Sequence, residues 1–344
     1  MHEENEPLPT INGDEQAPSG ARGFKQEELV SCPTCLRANP PTRTSCLYCG
    51  VALPFAAMSS IQIKPTMRPL ETWEQGYNVI FMPNEQACSN TSLNQISDLV
   101  RLDLDDVREL VLSGSALPLA RCLVRDEALV VETRLNELGF SIEIVADRDL
   151  DDYPPVRVRT MDLTDDSIVL FPMSRADAQS IPWREISLIV VGRRVIRRLE
   201  VAERAGKGSG KEVVDSREMS TDTGRLDLYS KTTERPWHIA ADNFDFSFLH
   251  ELKTLIAAKN FQSLAGMLRL RAESAGYDES YMRVRRLLGL VWPIEERTES
   301  LGLRKPRMGR INTEMVTTSD NEKQFARYSR LLQVLNIRRT ELKA

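Results

Sequence analysis

Histidine is scarce in this chain. Of 344 residues only three are histidine: His2, His238 and His250. No H-E-x-x-H, G-x-S-x-G, P-loop or kinase signature occurs, so the common zinc-peptidase, serine-hydrolase and nucleotide-phosphate sites are absent as motifs. No two carboxylates stand out as an acid and base pair. No run of about 18 apolar residues exists, so no membrane-spanning helix is expected. The opening MHEENEPLPTINGDEQ is acidic and lacks an apolar stretch, which does not read as a secretory signal. The net charge of -5 gives no global attraction to nucleic acid or anionic lipid. No repeat of about 20–50 residues is visible. These absences predict a cytoplasmic protein that is not an enzyme.

Cysteine is the residue type that is patterned. Cys32-Pro-Thr-Cys35 and Cys46-Leu-Tyr-Cys49 form two C-x-x-C pairs separated by ten residues, with Gly50 after the last thiol. In a reducing compartment paired C-x-x-C motifs read as metal ligands rather than disulfides. Four thiolates suit one closed tetrahedral Zn²⁺ per chain, a structural site with no coordination position left for substrate or water. The competing reading is a pair of redox dithiols. Cys122, in the apolar run 120–124, reads as a small buried hydrophobe, and Cys88 lies in a polar loop.

Organisation follows from hydrophobic periodicity. Residues 1–25 carry none and are expected to be disordered. Residues 26–54 form the metal module and 55–72 a linker. A small α+β layer spans 73–147. Its expected elements are a strand at 77–82, helices at 93–99 and 105–112 with Asp103 as N-cap, an extended piece at 117–124, a helix at 126–138 ending at Gly139, and a strand at 140–145. Carboxylates Asp147–Asp152 read as solvated linker residues. From 154 to 277 the pattern is β, with strands at 156–161, 167–172, 185–199, 226–232, 237–240 and 244–248. A flexible loop is expected over 205–224, and a helix from about Asn260 to Ala275. Residues 278–320 read as an irregular basic connector. Positions 283–310 hold eight Lys/Arg and three Glu, an excess of 8 − 3 = 5, around Trp292. A final helix is expected within 321–340, with Phe325, Tyr328, Leu331, Leu332 and Leu335 on one stripe. The fold class is therefore multidomain α+β: a Cys₄ zinc ribbon, an α+β layer, a β-barrel with a C-terminal helix, and a helical tail.

Three segments resemble known families. CPTCLRANPPTRTSCLYCG, with Asn39 between the cysteine pairs, is similar to zinc ribbons and to Ran-binding-protein-type zinc fingers. The Ran-binding type carries a Trp before the first Cys; Leu29, Val30 and Ser31 stand here, so the plain ribbon fits better. Residues 77–145, with the run VRLDLDDVRELVLSGSALPLARCLVRDEALVVETRLNELGFSIEIV, resemble the C-terminal domain of the ribosomal stalk protein and its relative, the Clp-protease adaptor. That implies a scaffold and not a shared partner, because the helix face carrying Asp98, Asp103, Asp105 and Asp106 is acidic where the stalk family is basic. Residues 156–275, with TDDSIVLFP, IPWREISLIVVG and WHIAADNFDFSFL, resemble a pleckstrin-homology-like domain. Arg193, Arg194, Arg197 and Arg198 form a basic cluster there, but their spacing on a strand points them to both faces.

The resulting expectation is a zinc-binding adaptor or regulatory protein that contacts other proteins. The alternative is a ribosome- or RNA-associated factor using the zinc ribbon and the basic segment 283–310, with Trp292 for stacking.

Overall fold

The structure is a computed structural model. It describes residues 29–40, 46–51, 53, 70, 74–84, 89–151, 154–172, 177–205, 211–233, 235–307 and 310–342. Residues 1–25, Cys88, His2 and most of the 55–72 segment lie outside this set. Two compact units are present, Met1–Thr66 and Met67–Ala344. Among the described residues no helix is long and apolar enough to cross a membrane.

The second unit begins with a three-stranded antiparallel sheet. Strand β3 (Tyr77–Met82) is central, flanked by β4 (Leu117–Cys122) and β5 (Ser141–Ala146). Helices α1 (Asn90–Val100), α2 (Leu104–Leu112) and α3 (Arg125–Glu137) bury Ile96, Val107, Leu110, Val131 and Leu135. The element order matches the hydrophobic periodicity. Gly139 takes φ +88°, the left-handed conformation in which glycine ends a helix without a Cβ penalty. Asp103 occupies the N-cap position of α2, although its side chain makes no capping hydrogen bond. Ser89 caps α1 by accepting from the Ser92 N–H at 3.0 Å.

A larger sheet follows, ordered β14-β15-β10-β11-β12-β6, with β13 pairing with β10. Its strands are β6 (Val156–Arg157), β10 (Ile186–Ala205), β11 (Lys211–Ser230), β12 (Trp237–Ala240), β13 (Gly276–Asp278), β14 (Glu295–Arg307) and β15 (Arg310–Asp320). A separate antiparallel sheet holds β7 (Thr160–Leu163), β8 (Ser167–Phe171) and β9 (Gln179–Pro182). The first half of β10 is a wall between two cores. Leu188 and Val190 face one core with Tyr229, α6 (Tyr281–Leu288), α7 (Glu322–Glu341) and the three-stranded layer. Ile189 and Val191 face the other, with Leu226, Leu228, Trp237 and α5 (Ala257–Arg271). Two glycines admit an aromatic ring to each side. A Cβ on Gly192 would meet the Phe325 ring at 2.4 Å, and one on Gly224 the Phe261 ring at 2.6 Å.

Four sequence expectations are corrected here. Residues 211–224 are not a loop but part of β11, paired with β10 from Ile186↔Ser230 out to Ala205↔Lys211. The stretch lacks apolar alternation because residues 215–222 are exposed, so no core imposes a period of two. Residues 278–320 are not irregular: they form α6 and the long β14–β15 hairpin. Residues 244–248 form no strand; Phe244 and Phe246 fill the core edge-on, with ring centroids 4.9 Å apart, and a 3-10 turn follows at Ser247–Leu252. The expected strand at 156–161 is split between β6 and β7.

A fifth correction concerns charge. Asp147 opens the short helix α4 (Asp147–Asp151) and is fully buried rather than solvated. One carboxylate oxygen accepts the Gly76 N–H at 2.7 Å and the Arg121 Nε–H at 2.8 Å. The other accepts from Asn78 at 2.8 Å and from the Arg327 guanidinium. Burial opposes the charge, but Arg121, Arg327 and Asn78 overcome it and hold the carboxyl below its ordinary value. The Trp292 indole N–H donates to Asn78 Oδ1 at 2.9 Å, and the Arg327 guanidinium lies over the indole ring at 4.9 Å. This buried network joins β3, β4, α4, α7 and the turn after α6.

Candidate metal centre

In the first unit, β1 (Val30–Ser31) and β2 (Ala38–Asn39) pair antiparallel and carry the cysteine segment. A short chain segment can aim two thiols at one point only by turning sharply between them, and both C-x-x-C pairs do so identically. The Cys32 N–H donates to the Arg37 carbonyl at 3.0 Å, and the Cys46 N–H to the Val51 carbonyl at 2.8 Å. The Leu36 N–H returns to the Cys32 carbonyl at 3.0 Å, and the Gly50 N–H to that of Cys46 at 3.0 Å. The Thr34 amide points at Cys32 Sγ at 3.4 Å, and the Tyr48 amide at Cys46 Sγ at 3.4 Å. The residue after each second cysteine is left-handed: Leu36 at φ +58° and Gly50 at φ +73°. Two copies of one knuckle thus face each other across the site.

Asn39 links the copies. It is fully buried, its side-chain amide donates to the Arg37 carbonyl at 2.8 Å, and its Oδ1 accepts the Leu47 N–H at 2.8 Å. Sequence reading noted its position between the pairs but not this cross-brace, because a side chain reaching both turns is a property of the folded geometry.

The four sulfurs of Cys32, Cys35, Cys46 and Cys49 lie within 4.8 Å of one another. Cys32 Sγ is 3.5 Å from Cys49 Sγ, and Cys35 Sγ is 3.5 Å from Cys46 Sγ. A tetrahedron with Zn–S bonds of about 2.3 Å has S···S edges of about 3.8 Å. The donor set therefore fits zinc in number, chemistry and spacing. Amide donors favour the thiolate at the first cysteine of each knuckle. At Cys32 the Cys35 amide is the main cause of a lowered pKa. At Cys46 burial opposes, but the Tyr48 and Cys49 amides hold the thiol down to about 6. Val30 and Leu53 complete a small core around the cysteines.

The remaining candidate residues are placed elsewhere. Cys122 is buried, and burial pushes its thiol up to about 12, as suits an inert core cysteine. His238 is buried on β12 opposite Asp227 of β11, with Nδ1 2.6 Å from a carboxylate oxygen. His250 is exposed on the 3-10 turn. Of the basic cluster, Arg193 pairs with Asp222, Arg194 with Asp320 and Glu322, and Arg198 with Glu200. In the basic segment, Arg286 is held by Asp106 and Glu109, and Trp292 is buried. An indole enclosed in this way cannot act as a stacking platform for a base.

No protein-family model, curated protein or solved structure matches this chain. The four-cysteine cluster can form a zinc-ribbon-like site, and the chain outside it has a mixed α+β architecture.

Proposed function

We propose that this chain is a non-enzymatic adaptor or regulatory protein whose N-terminal module is folded by one structural Zn²⁺ and contacts another protein. The convergence of four sulfurs within 4.8 Å carries the reading. A Cys₄ site is closed to substrate, so the ion would supply folding energy rather than Lewis acidity. The surface of the module supports protein recognition. Leu36, Leu47, Tyr48 and Val51 are 79%, 50%, 56% and 38% exposed, a high share of large apolar side chains for so small a unit. Arg37 lies over the Tyr48 ring at 4.7 Å, an Arg–aromatic pair of the kind enriched at interfaces. A four-thiolate zinc site needs reduced cysteines, which fits a cytoplasmic location. The alternative, RNA or ribosome association, loses its stacking residue because Trp292 is enclosed.

Affinity purification of tagged full-length chain tests the reading. A protein partner is expected to co-purify, to survive ribonuclease, and to be lost on deletion of residues 1–72 and with Cys32→Ser/Cys49→Ser. Ribonuclease-sensitive association, or substrate turnover abolished by a cleft mutation, would overturn it.

A further inference from the structure

The arginines around the large sheet are not equivalent. Arg193, Arg194, Arg198 and Arg286 each have carboxylate partners. Among the described residues, the side chains of Arg197 and Arg285 form no ion pair or hydrogen bond. Both line the same groove, of about 590 Å³, beside Arg286. Its floor is a cross-strand row. Arg197 of β10 pairs with Ser319 of β15, which pairs with Glu296 of β14, so the three side chains share one face. Its opposite wall is the last turn of α6 and the following Pro293-Ile294, which add apolar surface.

We propose that this groove binds a small organic phosphate ester. Two guanidinium groups with no carboxylate partner among the described residues, approaching from a strand and from a helix, offer planar donor forks to a dianion with three terminal oxygens. Arg286 also lines the groove but is already neutralised by Asp106 and Glu109, and Glu296 is the single carboxylate among the lining residues. The volume exceeds that of a bare phosphate and falls in the range of small-molecule sites. Pro293 and Ile294 would contact the organic part.

Calorimetric titration of the full zinc-loaded chain with inorganic pyrophosphate, using citrate as a carboxylate control, tests the proposal. Pyrophosphate should bind, and citrate should bind at least about tenfold more weakly. Arg197→Gln and Arg285→Gln should each weaken pyrophosphate binding about tenfold or more, the loss of a charge-assisted bond. Arg198→Gln, at the next residue of β10, on the strand's opposite face and paired with Glu200, should leave it unchanged. Glu296→Gln should tighten it. Arg197 is exposed, so its variant keeps the test valid even if Arg285→Gln unfolds. Absence of binding at millimolar pyrophosphate, equal binding of citrate, or equal losses in Arg198→Gln and Arg197→Gln would overturn it.

Discussion

Leu36 holds a left-handed backbone at φ +58° with its side chain 79% exposed, so it has backbone strain and little packing to offset it. A non-glycine residue in that region costs about 1–2 kcal/mol, against about 0.5–1 kcal/mol of extra unfolded-state entropy for glycine. Leu36→Gly should therefore tighten zinc binding by up to about 1 kcal/mol, roughly fivefold in a chelator competition. At the equivalent position Gly50→Ala should weaken it by a similar amount. Asp147 is the second residue whose role is sharply defined. Replacing it with Asn would leave Arg121 without its carboxylate and Arg327 with only the longer contact to Asp151, and breaking such a buried pair costs about 3–5 kcal/mol. Its charge also sets an acid limit. The folded carboxyl titrates below its ordinary value. Its contribution is thus complete above the unfolded pKa of about 3.9 and is lost as pH falls through the folded one. Urea unfolding at pH 7 and at pH 3 should show that Asp147→Asn narrows the stability difference between them.

At the scale of elements, the glycines make contrasting predictions. Gly192→Ala and Gly224→Ala should each destabilise by about 1–3 kcal/mol, because the added methyl collides with Phe325 or Phe261. Gly266 lies in α5 with nothing within 4 Å of a Cβ, so Gly266→Ala should stabilise by about 1 kcal/mol. Denaturant midpoints check all three. The same elements show what the sequence made legible. The α+β layer was readable because each helix buries one stripe, as Val107 and Leu110 do in α2, and its inner strands are short apolar runs, buried over 78–81 and 117–120. The outer part of β11 was not, since residues 215–222 are exposed and held by neighbouring backbone, so they carry no hydrophobic period. Asp147 was misread for a related reason: a carboxylate's burial depends on arginines distant in sequence, Arg121 and Arg327.

Across the whole molecule, the two units rest on different physics. Met67–Ala344 has two apolar cores, sharing β10 and β11 as their partition. The described core of the first unit consists of Val30, Leu53 and the cysteines themselves, too few groups to fold without a metal. Chelation should remove amide-exchange protection from residues 30–53 and leave the cores of the second unit protected. The clustering of the four cysteines was legible from spacing alone, because each C-x-x-C pair encodes a local turn that brings its two thiols together.

The most direct test of the account is the zinc-to-protein ratio of the reduced full-length chain, measured by elemental analysis with the native mass. The account predicts one Zn²⁺ per chain, and none after Cys32→Ser/Cys49→Ser. A reduced chain without zinc, or zinc retained in that double variant, would contradict it.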